Sequence, residues 1–155
     1  MEPAFQDQLK GNHCWGCSPT NDSGLNIKSF WSGEEAICSW SPGEQHSAAT
    51  PLVLNGGIIG TIIDCHCICT AIADAYRREG RPIGTEPAIW YATGALNVSY
   101  QSPSPIAEPV TLRARITETT DKRTNLSCSL ASAGKQRATA ELVAVRVPQE
   151  WMAGR

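Results

Sequence analysis

The pattern of hydrophobic and polar positions predicts short strands around a single long helix. Two strands are predicted over residues 25–31 and 36–40. The residues between them, Ser32-Gly33-Glu34, have the composition of a hairpin turn. After an irregular stretch broken by prolines and a glycine, the most apolar part of the chain begins at residue 56.

Four further strands are predicted in the second half of the chain. Most of them alternate apolar and polar residues, which is the period of a strand with one buried face, and the last is continuously apolar like a central strand. The ranges are 90–100, 110–117, 125–130 and 138–147. Asp121-Lys122 and Gly134-Lys135 stand where connecting turns belong, so these strands are predicted to be antiparallel neighbours.

Residues 56–76 are predicted to form one helix. Asn55 is a suitable N-cap because its side chain can accept a hydrogen bond from an unpaired amide of the first turn. Gly80 and Pro82 end the pattern. The apolar residues cover much of the helix circumference, as in a helix that is buried on most sides.

A single apolar helix and an antiparallel sheet with one apolar face predict an α+β fold in which the sheet wraps around the helix. The sequence contains no visible repeat or second domain. Residues 1–155 are therefore predicted to form one domain, in which residues 1–24 are a polar lead-in.

Charge and composition exclude several classes of partner. The net charge is −2 and no basic stripe is present, so neither nucleic acid nor a membrane surface is expected as a partner. Residues 1–10 lack the basic start and apolar run of a signal peptide. Asp64 argues against a membrane span in the apolar helix, because a carboxylate is costly in the middle of a bilayer.

The seven cysteines indicate a reduced, cytoplasmic protein rather than a disulfide framework. Their number is odd, and Cys65, Cys67 and Cys69 lie on one predicted helix at spacings that point neighbouring side chains apart. Cys14 and Cys17 have metal-ligand spacing, but no second pair of that kind follows them. No metal site is therefore expected.

Asp64 is the first candidate catalytic residue. It is the only charged residue between Gln45 and Ala73, and it lies among isoleucines in the middle of the predicted helix. Desolvation would raise its pKa toward the range of a general base. The alternatives are a structural carboxylate paired elsewhere, or one that reaches solvent. His66 lies about 200° further around the helix and is expected to be a core or interface histidine rather than a partner of Asp64.

Asn55-Gly56-Gly57 at the helix start is the second candidate. Free amides at a helix N-terminus can stabilise the oxyanion of an attacked carbonyl, although the same residues could be only a capping turn. Asn55 and Asp64 are nine residues apart, which is roughly 13 Å along one helix. If both act on one bond, they must come from two chains, so catalysis predicts a dimer.

These residues resemble a known signature. Asn55-Gly56-Gly57, six residues and then Asp64 is similar to the His-Gly-Gly, six residues, Asp pattern of the PaaI-type hotdog-fold thioesterases of the 4-hydroxybenzoyl-CoA thioesterase superfamily. The stretches 14–17, 23–25 and 93–103 resemble the family's Cys-aromatic-Gly-Cys lead-in, its Gly-Leu pair and the strand after its helix.

The resemblance implies a hotdog fold, a dimer or dimer of dimers, no cofactor, and hydrolysis of a small or medium acyl-CoA to free acid and CoA. It implies that Asp64 activates water or attacks the thioester, and that Thr93 orients the water; Thr93 could equally be an ordinary strand residue. Asn55 replaces the family histidine, so it can polarise a carbonyl but cannot transfer a proton.

Two other functions stay open. His46 and Asp64 could form the acid–base pair of a hotdog dehydratase or isomerase, although the dehydratase pattern places its acid fourteen residues after the histidine and here the separation is eighteen. A non-catalytic acyl-CoA-binding module is the second alternative.

A group of four basic residues could bind the phosphates of CoA, or it could lie on a solvated strand face. Its members are Arg113, Arg115, Lys122 and Arg123.

Overall fold

The computed structural model describes residues 2–154 and places one long helix against a six-stranded antiparallel sheet. In chain order the elements are β1 (Ser29–Ser32), β2 (Glu35–Trp40), α1 (Gly56–Arg78), β3 (Trp90–Tyr100), β4 (Val110–Thr119), β5 (Arg123–Ser132) and β6 (Lys135–Val147). Short 3-10 helices cover Gln6–Gln8, Glu44–His46 and Gln149–Ala153. Residues 1 and 155 of the predicted domain lie outside the described residues.

The sheet wraps around α1 in the strand order β1-β2-β4-β5-β6-β3, and every pair of neighbours is antiparallel. Alternate residues of β4, β5 and β6 are buried, because α1 covers the apolar face of the sheet. This arrangement is the predicted α+β hotdog fold, which is confirmed. The largest buried strand residues are Leu112, Leu126, Leu130 and Leu142.

The ends of α1 follow the predicted chemistry. The Asn55 side chain caps the helix, since its Oδ1 accepts a hydrogen bond from the Ile58 amide at 3.1 Å. The helix continues two residues beyond the predicted end, to Arg78, and Gly80 follows with a φ of +67°. The helix is long and apolar enough to cross a membrane, but most of it is buried by the sheet, so it is the core helix of this fold.

The first predicted strand is partly wrong. β1 begins at Ser29 rather than at residue 25, because Asn26 has a φ of +54° and breaks the extended backbone. The residues before β1 bind the lead-in instead: the Leu25 amide donates to the Trp15 carbonyl at 3.0 Å. The later predictions are confirmed, since β3 has the predicted bounds and β4, β5 and β6 extend beyond theirs by up to three residues.

A buried polar network joins the lead-in, the sheet and the helix. His66 is fully buried on α1; its Nε2 donates to the Ala36 carbonyl at 3.1 Å, and its Nδ1 accepts from the Ser29 hydroxyl at 2.7 Å. Gln6 donates to the same hydroxyl at 2.9 Å. Burial lowers the pKa of His66 to about 4, so the ring is neutral at physiological pH. His66 is therefore the core histidine that the sequence predicts.

Candidate active site

Asp64 lies halfway along α1 with its carboxylate directed toward the middle of β3. It is half-buried, and the Thr93 hydroxyl donates to its Oδ1 at 2.5 Å. Burial raises the pKa of Asp64, the hydrogen bond from Thr93 opposes that rise, and the nearby Cys17 adds to it. The carboxylate therefore holds a proton more readily than an exposed aspartate, which is the property required of a general base.

Asp64 is unlike the other inward-facing carboxylate of α1. Asp74 is buried and forms ion pairs with Arg78 at 2.8 Å and Arg77 at 3.3 Å. Within residues 2–154, Asp64 has no lysine, arginine or histidine at salt-bridge distance and no hydrogen-bond donor other than Thr93. One of its oxygens is therefore available to a water molecule or a substrate.

Thr93 reaches Asp64 because β3 is irregular at this point. The register between β3 and β6 shifts between Thr93 and Ala95, which places a bulge at Gly94. A Cβ on Gly94 would lie 2.7 Å from Cγ2 of Val145, so the Val145 side chain occupies the space that a side chain at position 94 would need. The glycine therefore permits the backbone path that turns the Thr93 hydroxyl toward the helix.

Asp64 and Thr93 open into a cavity of about 480 Å³. One side of the cavity is mainly apolar and combines residues of α1 and β3 with the C-terminal 3-10 helix. Its residues are Ile68, Ile72, Trp90, Tyr91, Trp151 and Met152. The cavity has the size and lining of a site for a small organic group, and it places an unpaired carboxylate beside that group.

The C-terminal wall of the cavity could not be predicted from the sequence. Trp151 and Met152 lie in Gln149–Ala153, a segment without hydrophobic periodicity, and only the path of the chain after β6 brings them over α1. Two aromatic residues of β3, Trp90 and Tyr91, line the cavity. Trp31 instead packs against Phe5, and Trp40 packs against His46.

The opposite wall of the cavity is formed by the lead-in and by thiols. Cys14 and Cys17 of the lead-in face Cys65 and Cys69 of α1. The neighbouring thiols of Cys14, Cys65 and Cys69 lower the pKa of Cys17, and the Asn12 amide donates to its sulfur at 3.5 Å. Cys65 of this cluster is the residue that directly follows Asp64 in α1.

Asn55, Gly56 and Gly57 form the exposed N-terminus of α1. Asn55 uses its Oδ1 for capping, and its Nδ2 has no hydrogen-bond partner among the described residues. The amides of Gly56 and Gly57 belong to the first turn, where an α-helix provides no carbonyl for them. The Tyr100 hydroxyl supports this turn by donating to the Gly56 carbonyl at 2.6 Å. The helix start therefore presents several free N–H donors.

The structure does not bring Asn55 and Asp64 together within one chain. α1 is continuous from Gly56 to Arg78, so the two residues stay nine positions apart on one axis, a separation of roughly 13 Å. The Asp64 cavity is not lined by Asn55, Gly56 or Gly57. A site that uses both groups requires a second chain.

The predicted basic group lies away from the Asp64 cavity. Arg113 and Arg115 lie on the solvent face of β4 and bind Glu35 of β2 at 2.9 and 2.7 Å, which lowers the pKa of Glu35. Lys122 and Arg123 are exposed at the turn between β4 and β5. The binding of CoA by these four residues therefore stays a prediction.

His46 is also separate from Asp64 within the chain. Its Nδ1 accepts a hydrogen bond from the Gly43 amide at 2.8 Å, and its ring packs against Trp40. Its carbonyl accepts from the Asn55 amide at 2.9 Å, so it lies beside the helix start. Burial lowers the pKa of His46. The histidine thus lies beside the N-terminal end of α1, and it does not line the cavity that contains Asp64.

Comparison with known proteins identifies the class of the fold. No family model and no curated protein matches the sequence. The structure is similar to a thioesterase superfamily protein from Shewanella loihica PV-4, with 28% identity, coverage of 88% of this chain and 96% of that chain, and a TM-score of 0.63. This is a hotdog fold, and it resembles those of thioesterase superfamily proteins.

Two further structures connect the fold to PaaI. A phenylacetic acid degradation-related protein from Ralstonia eutropha JMP134 is 19% identical, with coverage of 92% and 98% and a TM-score of 0.69. The PaaI protein of E. coli is 11% identical, with coverage of 80% and 81% and a TM-score of 0.65. These two proteins share the fold of this chain. The PaaI-type resemblance seen in the sequence is therefore confirmed for the fold.

Proposed function

We propose that this protein is an acyl-CoA thioesterase that hydrolyses a small or medium acyl-CoA to the free acid and CoA. The observation that carries the proposal is the unpaired Asp64 carboxylate, which receives a hydrogen bond from Thr93 and opens into a largely apolar cavity. The thioesterase superfamily neighbours support the same reaction class. Neither metal nor cofactor is needed for this step.

The reaction can be written with Asp64 as a general base. The carboxylate takes a proton from a water molecule that Thr93 helps to position, and the oxygen of that water attacks the thioester carbonyl. The C–S bond of the resulting tetrahedral intermediate breaks, and the proton held by Asp64 goes to the departing thiolate of CoA. A direct attack by Asp64 would instead form a mixed anhydride, which water then cleaves to the same products.

The carbonyl oxygen requires donors that one chain does not supply near Asp64. We infer a dimer related by a two-fold axis, in which Asn55, Gly56 and Gly57 of the partner subunit provide those donors. β3 favours this assembly: among residues 2–154 it pairs only with β6, so its other edge has no strand partner there, and it exposes Leu96 and Tyr100. Pairing of two β3 edges would cover these residues, and a dimer of dimers would use further surfaces.

The substrate class follows from the cavity and its surroundings. The apolar wall suits an acyl or aryl group, and a cavity of about 480 Å³ is of a size that suits a small or medium acyl group. Arg113, Arg115, Lys122 and Arg123 are proposed to meet the CoA phosphates of a neighbouring site in the assembly. A cytoplasmic location agrees with the free cysteines and with the supply of acyl-CoA.

A thiol-release assay on a panel of acyl-CoAs of increasing acyl length tests the proposal. Wild-type protein is expected to release CoA from at least one short or medium member, and Asp64→Asn is expected to abolish that release without loss of fold. Asp74→Asn is unsuitable as a control because Asp74 is ion-paired, so Glu108→Gln, an exposed carboxylate, serves instead.

The same panel separates the alternatives. A hotdog dehydratase would convert a hydroxyacyl-CoA to an enoyl-CoA without free thiol and would depend on His46 as well as Asp64. The position of His46 at the helix start keeps this candidate open for a dimer. Tight binding of acyl-CoA with neither product would indicate the non-catalytic module and would contradict the thioesterase.

A further inference from the structure

Four cysteines from two separate parts of the chain converge beside the active-site carboxylate. The sulfur of Cys14 lies 3.6 Å from that of Cys65, and the sulfur of Cys17 lies 3.9 Å from that of Cys69. The sulfurs of Cys14, Cys17 and Cys65 are all within 4.8 Å of one another. All four cysteines are free thiols.

These separations are those of a metal site rather than of a disulfide. A zinc ion bound by thiolates at about 2.3 Å in a tetrahedron holds its sulfurs about 3.8 Å apart, whereas a disulfide requires about 2.05 Å. A disulfide would also join only two of the four sulfurs. We propose that Cys14, Cys17, Cys65 and Cys69 form a structural zinc site that ties the lead-in to α1.

The backbone on both sides is suited to this role. Cys65 and Cys69 are one helical turn apart and share a face of α1. The lead-in supplies a tight Cys14-Trp15-Gly16-Cys17 turn, closed by a hydrogen bond from the Ser18 amide to the Cys14 carbonyl at 2.9 Å. The sulfurs of Cys14, Cys17 and Cys65 already lie within 4.8 Å of one another, and Cys69 joins them by a side-chain movement from its contact with Cys17.

Gly16 and Asn12 complete the arrangement. A Cβ on Gly16 would lie 2.3 Å from the sulfur of Cys65 and 3.0 Å from Cγ2 of Thr61, so only glycine lets the turn approach the helix this closely. The Asn12 side chain donates to the sulfur of Cys17 at 3.5 Å, and its Oδ1 accepts from the Cys14 amide at 3.0 Å. Hydrogen bonds of this kind orient thiolate ligands around a metal.

Sequence spacing does not reveal this site, because no second Cys-x-x-Cys or His pair follows Cys14 and Cys17. The second pair here has helical spacing, and only the docking of the lead-in onto α1 shows that it faces the first. Four thiolates leave zinc no open position, so the ion takes no part in hydrolysis. Its effect is to hold Asn12 and His13, which line the cavity, at a constant position beside Asp64.

The test begins with the full-length wild-type chain, purified under reducing conditions without a chelator. Elemental analysis is expected to find about one zinc per chain. After the zinc is removed, titration with Co²⁺ is expected to produce the intense visible absorption and the sulfur-to-metal charge-transfer bands of a tetrahedral cobalt–thiolate site. This part needs no variant and is unaffected if a variant fails to fold.

Serine variants then assign the ligands. Cys14→Ser, Cys17→Ser, Cys65→Ser and Cys69→Ser are each expected to lose the zinc and the cobalt spectrum, while Asn12→Ala weakens cobalt affinity by about 10- to 100-fold. Cys38→Ala is the matched control, since it removes a buried thiol of β2 that lies outside the cluster. It is expected to keep a full complement of metal.

Several results would overturn the proposal. They are a zinc-free protein with no cobalt spectrum, a Cys14–Cys65 disulfide that forms under mild oxidation in a chain that binds no metal, and retention of zinc by any of the four serine variants. Hydrolysis of acyl-CoA is not a readout here, so the zinc site and the thioesterase can fail independently of each other.

Discussion

Thr93→Val tests whether the hydroxyl on β3 governs the proton affinity of the Asp64 carboxylate. Valine keeps the β-branched shape of threonine at the bulge but removes the donor to Asp64. The hydrogen bond stabilises the ionised carboxylate, so its loss adds to the effect of burial and raises the pKa of Asp64 further.

The magnitude follows from the character of this one contact. A hydrogen bond to a charged group contributes about 1.5–3 kcal/mol, and Thr93 is exposed in the single chain, so the lower end applies. A free energy of about 1.5 kcal/mol is a roughly tenfold change in the proton affinity of the carboxylate. On the acid limb of the pH profile, kcat/KM of the variant should therefore be about tenfold below that of the wild type.

The assay is kcat/KM for thiol release as a function of pH, with the pH dependence of the Asp64 carboxyl carbon signal in NMR as a readout independent of turnover. The acid limb and the NMR titration should both move to higher pH in Thr93→Val and stay in place in Thr93→Ser, which keeps the hydroxyl. A lower plateau at high pH would measure the additional role of Thr93 in positioning water. If both titrations of Thr93→Val coincide with those of the wild type, the hydroxyl does not control Asp64 and the reasoning is refuted.

Three further predictions concern the carboxylate, the assembly and the core. Asp64→Asn should lower kcat for thiol release by about 10²- to 10⁴-fold, which is the contribution of a general base. It should also stabilise the fold at neutral pH, because it removes a desolvated charge, and urea unfolding measures this effect. Mixing inactive Asp64→Asn and Asn55→Ala chains should restore about a quarter of wild-type activity, since half of the dimers are mixed and each has one intact site; no recovery would exclude a shared site. Burial lowers the pKa of His66 from 6.5 to about 4 in the folded protein. As the pH falls from 6.5 to 4, His66 is therefore protonated in the unfolded chain but not in the folded one. The free energy of unfolding should drop by about 3 kcal/mol over that range. His66→Gln should lack this component in urea unfolding at a series of pH values, and an unchanged pH dependence would contradict it.

Much of this protein could be predicted from local sequence. The alternation of apolar residues marked the later strands because a strand with one covered face must repeat every two residues. The buried helix was visible because Ile58 to Ala75 is apolar on nearly all sides, and Asn55 marked its start because few side chains can cap a helix. Asp64 could be singled out because burying a single charged residue in such a helix costs free energy unless the charge is paired.

Other features depended on contacts between distant segments. The early start predicted for β1 was wrong because Asn26 adopts a positive φ and Leu25 pairs with the lead-in. The Asp64–Thr93 pair lies beside the bulge at Gly94, where the register between β3 and β6 shifts and the Val145 side chain leaves no room for a Cβ. Helix propensity and strand period contain no information on either contact, because both act between residues far apart in sequence.

The order of elements, the identity of the core helix and the position of the unpaired carboxylate were determined by the sequence itself, through periodicity, capping and the cost of a buried charge. Only the tertiary structure decided that Asp64 faces a hydroxyl and a cavity rather than a guanidinium. It also decided that Cys14 and Cys17 face Cys65 and Cys69. The physical reason is that pairing across the sheet and docking onto the helix depend on the packing of the whole chain, which local patterns do not encode.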